Sequence, residues 1–261
     1  MNLPMQFEGY TIRTVADDPA LEDEIQALID VVWPAFIIDG HVASDEPPPS
    51  DWMGIYARWP QFQFVLYDAD LGRPLAAGNA CTLAWDEDER TLPDTGWHWE
   101  MVRAADDLAA ARPARTLGAL SITVAPSARS RGLSAVMVRA MKELGRRAGI
   151  NRMIAPVRPT RKAEFPNQPI EEYMARTTAQ GLAFDPWLRT HQRLGARIAG
   201  PCRRSMQIVG TVDEWQRWTG MEFPTSGAYA FPGGLAPVAI DRAADRGHYV
   251  EPNVWMTHLI A

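Results

Sequence analysis

The stretch Arg129-Ser130-Arg131-Gly132-Leu133-Ser134 has residue types that can do chemistry. It brings two guanidinium groups and a glycine to the mouth of a helix, among small neighbours. A helix N-terminus carries about half a positive charge and four unpaired N–H donors. Such a turn accepts an anion the size of a pyrophosphate. An ordinary strand–turn–helix crossover would also use Gly and Ser to ease the turn. The elements on either side favour phosphate binding. The stretch is not a P-loop, because no Gly-Lys-Ser/Thr follows, and it is not a Gly-x-Gly-x-x-Gly dinucleotide fingerprint.

Those flanking elements are legible. Residues 119–124 alternate Leu120, Ile122 and Val124 against Ser121 and Thr123, which predicts a strand ended by Pro126. From Leu133 the apolar residues Val136, Met137, Ala140, Met141 and Leu144 recur at helical spacing on one face. Gly149 stops that helix, and 152–157 is the next strand. A strand–helix–strand crossover of this length implies a parallel pair.

Elsewhere, 10–15 reads as a strand. Asp17, Asp18 and Pro19 open a helix with a stripe of Leu21, Ile25, Leu28, Ile29 and Val32. A proline-rich loop at 39–50 precedes a short helix at 51–59. Strands at 62–67 and 74–85 form a hairpin across a turn at 68–73. Residues 86–94 are acidic and loop-like. A helix at 96–111 is expected to bury Trp97, Met101, Ala104, Ala105 and Leu108. A loop follows at 160–169, then a short helix at 170–178. Asp185 and Pro186 cap and open a helix at 187–194, closed by Gly195. Strands are expected at 197–199 and 205–209, a helix at 212–218, and two strands at 229–240 and 249–259 joined by a polar turn. No internal repeat or low-complexity linker interrupts the chain.

The 261 residues suffice for one large domain with a sizeable core. Apolar content of 46% and charged content of 22% are those of a folded globular chain. A net charge of −6 argues against general nucleic-acid binding, and the local basic cluster at 129–152 suits a small phosphorylated ligand better than a duplex. Two cysteines, Cys81 and Cys202, make no disulfide framework and no zinc spacing, so a reduced, cytoplasmic setting without metal is expected. No leader and no membrane-crossing apolar run is read in the sequence. Ten tryptophans are enough to fill a core and line a pocket.

The basic turn resembles the acyl-CoA pyrophosphate motif of the GNAT superfamily of N-acyltransferases, Arg/Gln-x-x-Gly-x-Gly/Ala. Arg129 and Gly132 match it, with Ser134 in place of the last small residue. A second local match is His191-Gln-Arg-Leu-Gly195-Ala196, in the register of the family's Tyr-x-x-x-Gly-Phe, with His for Tyr and Ala for Phe. The order of elements over about 10–209 is similar to the GNAT fold. The expectation is therefore an α/β protein: a GNAT-like mixed central sheet flanked by helices, with a C-terminal β-rich extension. The expected division is 1–210 for the acyltransferase domain and 211–261 for an extension packed on it.

The resemblance implies a site. Acetyl-CoA or another acyl-CoA would lie between two splayed parallel strands, its pyrophosphate on Arg129, Ser130, Arg131, Gly132, Leu133 and Ser134. Backbone amides at Ile122, Thr123 and Val124 would bind the pantetheine and polarise the thioester carbonyl. His191, in the place of the family's Tyr, would protonate the leaving thiolate. Thr160 would orient substrate from the other lip, although a loop-capping hydroxyl explains it as well. Glu100 and His98 offer a base on the acceptor side, and an acidic residue in a first helical turn is equally ordinary. The implied reaction is acyl transfer to an amine of a small molecule, with acidic loops at 39–46 and 86–89 suited to a cation. Two alternatives stay open. One is a GNAT-like malonyl-CoA decarboxylase that passes the acyl group to a carrier-protein thiol, using His191 and Thr160. The other is a non-catalytic acyl-CoA sensor or interaction subunit, with the aromatic C-terminal segment as a partner or homodimer surface.

Overall fold

The structure, a computed structural model, describes residues 5–43, 52–68 and 72–260. The elements run β1 (Met5–Phe7), β2 (Tyr10–Thr14), α1 (Leu21–Val32), α2 (Ala35–Ile38), β3 (His41–Val42), α3 (Gly54–Arg58), β4 (Gln63–Tyr67) and β5 (Pro74–Leu83). They continue α4 (Gly96–Ala109), β6 (Thr116–Val124), α5 (Leu133–Arg147), β7 (Arg152–Val157), α6 (Ile170–Met174) and α7 (Pro186–Arg193). The chain ends with β8 (Arg197–Gly210), α8 (Val212–Thr219), β9 (Gly227–Tyr229), β10 (Val238–Asp241) and β11 (Arg246–Leu259).

Among the described residues the strands form one mixed sheet in the order β1-β2-β4-β5-β6-β7-β11-β10-β9, with β8 pairing β11 and β3. β6 and β7 are parallel, and the other pairings are antiparallel. All five residues of β4 are buried, as a strand covered on both faces requires. Helices α1 and α5 bury their predicted stripes, with Leu21, Ile25, Leu28 and Ile29 on one and Leu133, Val136, Met137, Ala140 and Met141 on the other. Among the described residues no helix is long and apolar enough to cross a membrane.

The two sheet faces carry different helices. Gly78 faces Met137 of α5, and a Cβ there would lie 3.2 Å from that side chain. Ile122, cross-strand from Gly78, therefore faces α5 as well. Thr123 faces α1, where its Oγ1 accepts a 2.8 Å hydrogen bond from Trp33 Nε1. Gly118 faces α4.

Several expectations are corrected. The inward face of α4 buries Glu100, Met101, Ala104 and Asp107, while Leu108 is exposed. The Asp107 carboxylate can be buried because it accepts the Ala84 N–H at 2.7 Å and pairs with Arg103 and Arg112. The segments 197–199 and 205–209 are one continuous strand, β8. Pro201 lies within it, pairs with Val254 of β11 on one side, and has no strand on its other side among the described residues. The strand expected at 229–240 is two short strands, β9 and β10, because 230–237 leave the sheet. β1, α2 and β3 lie outside the predicted elements. Residues 44–50 of the proline-rich loop and 69–71 of the expected turn lie outside the described residues, as does Asp51 of the expected helix.

The C-terminal segment reaches the middle of the sheet. β11 pairs with β7 from Val254↔Val157 to Leu259↔Arg152 and with β8 on its other edge. Just beyond β7, Arg158 Nε donates to the wholly buried Glu251 of β11 at 2.9 Å, and Arg158 Nη2 donates to the Gly233 carbonyl at 2.6 Å. Tyr249 OH donates to Glu251 at 3.0 Å and accepts the Leu235 N–H at 2.9 Å. Buried Lys162 donates to the Phe165 and Leu235 carbonyls, both at 2.7 Å, and burial lowers its pKa to about 8. This network ties the end of β7 to β11 and to the 230–237 loop. Replacing Arg158 by Met strands the Glu251 carboxylate. The expected loss is about 3–5 kcal/mol of stability, measurable by urea unfolding, with a smaller loss in the double variant Arg158→Met/Glu251→Gln.

Candidate active site between two parting strands

β6 and β7 stay in register only at Leu117↔Met153 and Gly118↔Ile154. Beyond Gly118, β6 runs on to Val124, about 20 Å of strand without a ladder to β7. The parting starts at a bulge. The β5–β6 register passes from Ala80↔Ala119 to Asn79↔Ser121, so Leu120 is the extra residue that bends β6.

Backbone direction on β6 follows from one bond. Ala125 N–H donates to Leu75 O at 2.9 Å, on the β5 side. N–H and C=O alternate sides along a strand, so Thr123 also turns to β5, whereas Ile122 and Val124 turn theirs toward the gap. Of the three amides implied by the family resemblance, two thus face the gap, and Thr123 is committed on both its backbone and its hydroxyl.

At the far end of β6, Gly132 is the N-cap of α5 in the left-handed conformation, φ 74°, and no side chain caps that helix. A Cβ at Gly132 would meet nothing within 4 Å, so no side chain crowds the cap residue. Ser130 also adopts a positive φ of 65°. Leu133 is buried and anchors the turn, while Arg129, Ser130 and Arg131 are exposed and Ser134 is half-buried. Arg131 reaches Asp68 at 3.4 Å. Open backbone donors beside two arginines fit a pyrophosphate, and the gap amides fit the pantetheine of the same ligand.

His191 lies on α7, and helix start and stop set its place. Asp185 caps the helix by accepting the Trp187 and Leu188 N–H groups at 2.9 and 3.2 Å, while its other oxygen binds Arg161 N–H and Tyr173 OH. Gly195, φ 87°, ends it, with Ala196 N–H on the His191 carbonyl. His191 is buried, packs edge-on to Trp187, and places Nδ1 2.8 Å from Nε2 of His258 on β11. The outer nitrogens, His191 Nε2 and His258 Nδ1, have no partner among the described residues. Burial lowers His191 to about 3 and His258 to about 4, with the His258 charge adding to the first shift and the Lys142 charge to the second. Both rings are therefore neutral at pH 7, sharing one proton across the 2.8 Å contact. A neutral pair still moves a proton by tautomer exchange, accepting at one end and releasing at the other.

Thr160 is not brought to His191. His258 pairs with Met153 at the start of β7, and Thr160 is exposed in the loop past the strand's other end. The four steps from Met153 to Val157 alone span about 13 Å. His258 has no sequence signal: it stands 67 residues from His191, in an apolar strand. On the opposite face, Trp97 Nε1 donates to the Leu120 carbonyl at 3.2 Å and stacks 5.8 Å from Trp52, both half-buried. Glu100, one turn along α4, is completely buried.

The histidine pair sets a pH dependence. Unfolded, both rings titrate near 6.5, but folded they stay neutral well below that. As pH falls from 6.5 the unfolded chain takes up protons that the folded chain does not, so stability falls. The expected loss is about 2 kcal/mol per histidine at pH 5. Unfolding free energies measured at pH 7.5 and pH 5 should show this slope, flattened in His191→Gln/His258→Gln.

No family model matches the chain. It is similar to arginine N-acetyltransferase avaD of Aspergillus versicolor, 28% identical over 280 residues that cover 97% of this chain and 94% of that protein. Among solved structures, it superposes on the loading GNATL domain of CurA from Lyngbya majuscula with a TM-score of 0.61 at 15% identity, covering 96% of this chain and 98% of that one. The GphF GNAT-like decarboxylase, solved in complex with isobutyryl-CoA, gives 0.57 at 17% identity, covering 96% and 99%. A mixed sheet with parting parallel strands, a glycine-capped helix at their mouth and whole-length superposition on two GNAT structures show that this chain has a GNAT-like α/β fold.

Proposed function

We propose that this chain transfers an acetyl or other short acyl group from acyl-CoA to an amine of a small molecule, by direct attack with both substrates bound. The gap between β6 and β7 carries the reading, with Ile122 and Val124 turned into it and the α5 N-terminus open at its mouth. The relative named an N-acetyltransferase, alike over nearly its whole length, supports an amine as acceptor. Acyl-CoA supplies the acyl group as an activated thioester. The Ile122 and Val124 amides hold the pantetheine and face the carbonyl oxygen, where one aimed N–H is worth about 3 kcal/mol. Gly132, Leu133 and Ser134 receive the pyrophosphate on their N–H groups, with Arg129 and Arg131 beside it. His191 delivers a proton toward the departing sulfur through its pairing with His258.

A second reading has its own observation: the two superposed GNAT structures are a loading domain and a decarboxylase. In that reading the chain decarboxylates malonyl-CoA and passes the acyl group to a carrier-protein thiol. The separation of Thr160 from His191 weighs against their acting as one pair. Carbon dioxide release from malonyl-CoA decides between the two.

Thermal unfolding with acetyl-CoA, malonyl-CoA, CoA and ATP tests the shared acyl-CoA site. At 100 times the dissociation constant a ligand adds about 2.7 kcal/mol, roughly a 5–10 °C rise for this size of chain. A rise with acetyl-CoA and CoA but not ATP is expected, followed by thiol release with an amine. Binding without thiol release toward any amine would make the chain an acyl-CoA sensor. Gly132→Val, which forces a β-branched residue to φ 74°, should weaken acetyl-CoA about tenfold or more, read as a reduced thermal shift.

A further inference from the structure

Three side chains form a row across the face of the sheet that carries α1 and α4. Gln63 of β4, Asn79 of β5 and Ser121 of β6 are cross-strand neighbours. Gln63 Nε2 donates to the Trp59 and Ala80 carbonyls, both at 2.8 Å. Only the amide nitrogen can face two carbonyls, so Gln63 Oε1 turns to Asn79, whose Nδ2 donates to it at 2.9 Å. Asn79 Oδ1 then faces Ser121 and takes its hydroxyl hydrogen at 2.8 Å. The row is polarised from the core outward, and Ser121 Oγ is left with lone pairs and no hydrogen to offer. Among the described residues nothing donates to it. Gln63 and Asn79 are wholly buried, whereas Ser121 is half-buried, so the row is sealed at one end and open at the other. Ser121 lies three residues beyond Gly118, the fork at which β6 loses its ladder to β7, so the open end is at the lip of the gap. Its flanks are fixed: Trp97 Nε1 holds the Leu120 carbonyl, and Trp33 Nε1 donates to the Thr123 hydroxyl. The buried Tyr56 hydroxyl, beside Asn79 and Trp52, has no hydrogen-bond partner among the described residues. Glu100 offers no comparable edge, because its carboxyl is sealed against Gly118 at the fork.

We propose that Ser121 seats the acceptor by accepting an N–H from the amine nitrogen that attacks the thioester. The inference rests on the acyltransfer reading. A neutral primary amine has two N–H groups and one lone pair. A hydroxyl free to rotate would donate to that lone pair and blunt the nucleophile. Ser121 does not, because Asn79 holds its hydrogen, so the lone pair is left to the acyl carbon. As the nitrogen–carbon bond forms, the carbon–sulfur bond breaks with its electron pair on sulfur. Nitrogen gains positive charge on the way, and an N–H···O bond from it strengthens. The contact therefore favours the transition state over the bound substrate. The proton that nitrogen loses ends on sulfur, giving amide and thiol, and none rests on Ser121. A thiolate acceptor has no hydrogen to give, so the contact selects an amine.

The test is steady-state kinetics by thiol release from acetyl-CoA, with butylamine, putrescine, tyramine and L-arginine as acceptors. Ser121→Ala should lower kcat about 10- to 100-fold, as for a lost bond to a charged group, with KM for the amine within about threefold and the thermal shift with acetyl-CoA kept. Ser121→Thr, which keeps the oxygen, should restore most of that rate. Asn79→Leu leaves the Ser121 oxygen in place but frees its hydrogen. In protein that still shows the acetyl-CoA shift, its kcat should fall about tenfold or more. Ser121→Ala within about threefold of wild-type turnover on every amine that reacts overturns the role of Ser121. An unimpaired Asn79→Leu overturns the polarity on which that role depends. A wild type that releases no thiol with any of the amines, or shows no shift with acetyl-CoA, overturns the acyltransfer reading itself.

Discussion

The constraint on which this structure depends is that two parallel strands are joined for two residues and then kept apart. A parallel ladder left unzipped exposes backbone donors and acceptors that a sheet would normally pair. Here the opening is enforced from both sides. On β6 the bulge at Leu120 bends the strand where the ladder to β7 ends. On β7 the Arg158–Glu251 pair, Tyr249 and Lys162 draw the strand end toward β11 and the 230–237 loop. The gap is held open by a satisfied polar network in the core, and the cost of a buried charge is offset by its partners.

The two faces of the sheet carry groups of different chemistry. On the α5 and α7 face lie the open helix N-terminus, the gap-facing amides of Ile122 and Val124, and the neutral His191–His258 pair. On the α1 and α4 face lie the indoles of Trp33, Trp52 and Trp97 and the isolated Glu100 carboxyl. Each face thus holds titratable groups whose protonation is set chiefly by burial rather than by ion pairing. Groups in that condition change protonation when a ligand brings charge or new hydrogen bonds, which is how proton transfer is arranged near neutral pH.

Much of this was legible in the chain. The apolar stripes of α1 and α5 are written at helical spacing, the hairpin of β4 and β5 at strand spacing, and the caps of α7 in Asp185 and Gly195. The Gly132 turn could be read because glycine is the residue that enters the left-handed region at low cost. These features are local, and the residues that produce them are neighbours in sequence. Where a local rule met a tertiary exception, the reading went astray. The strands expected at 197–199 and 205–209 prove to be one strand running through Pro201, and on α4 the buried place expected for Leu108 goes to Asp107, which a backbone N–H and two arginines surround.

The sequence by itself determined the strand–turn–helix that can receive a phosphate, the periodicity of the core elements, and the GNAT-like order in which they follow. Only the tertiary structure decided that Ile122 and Val124 rather than Thr123 face the gap, and that His191 meets His258. It likewise decided that Thr160 stands away from His191, and that Glu100 is sealed at the fork without a partner. The physical reason is range. Helix stripes and caps depend on residues within a few positions of one another. Strand register, burial and the pairing of side chains 67 residues apart depend on how the whole sheet closes.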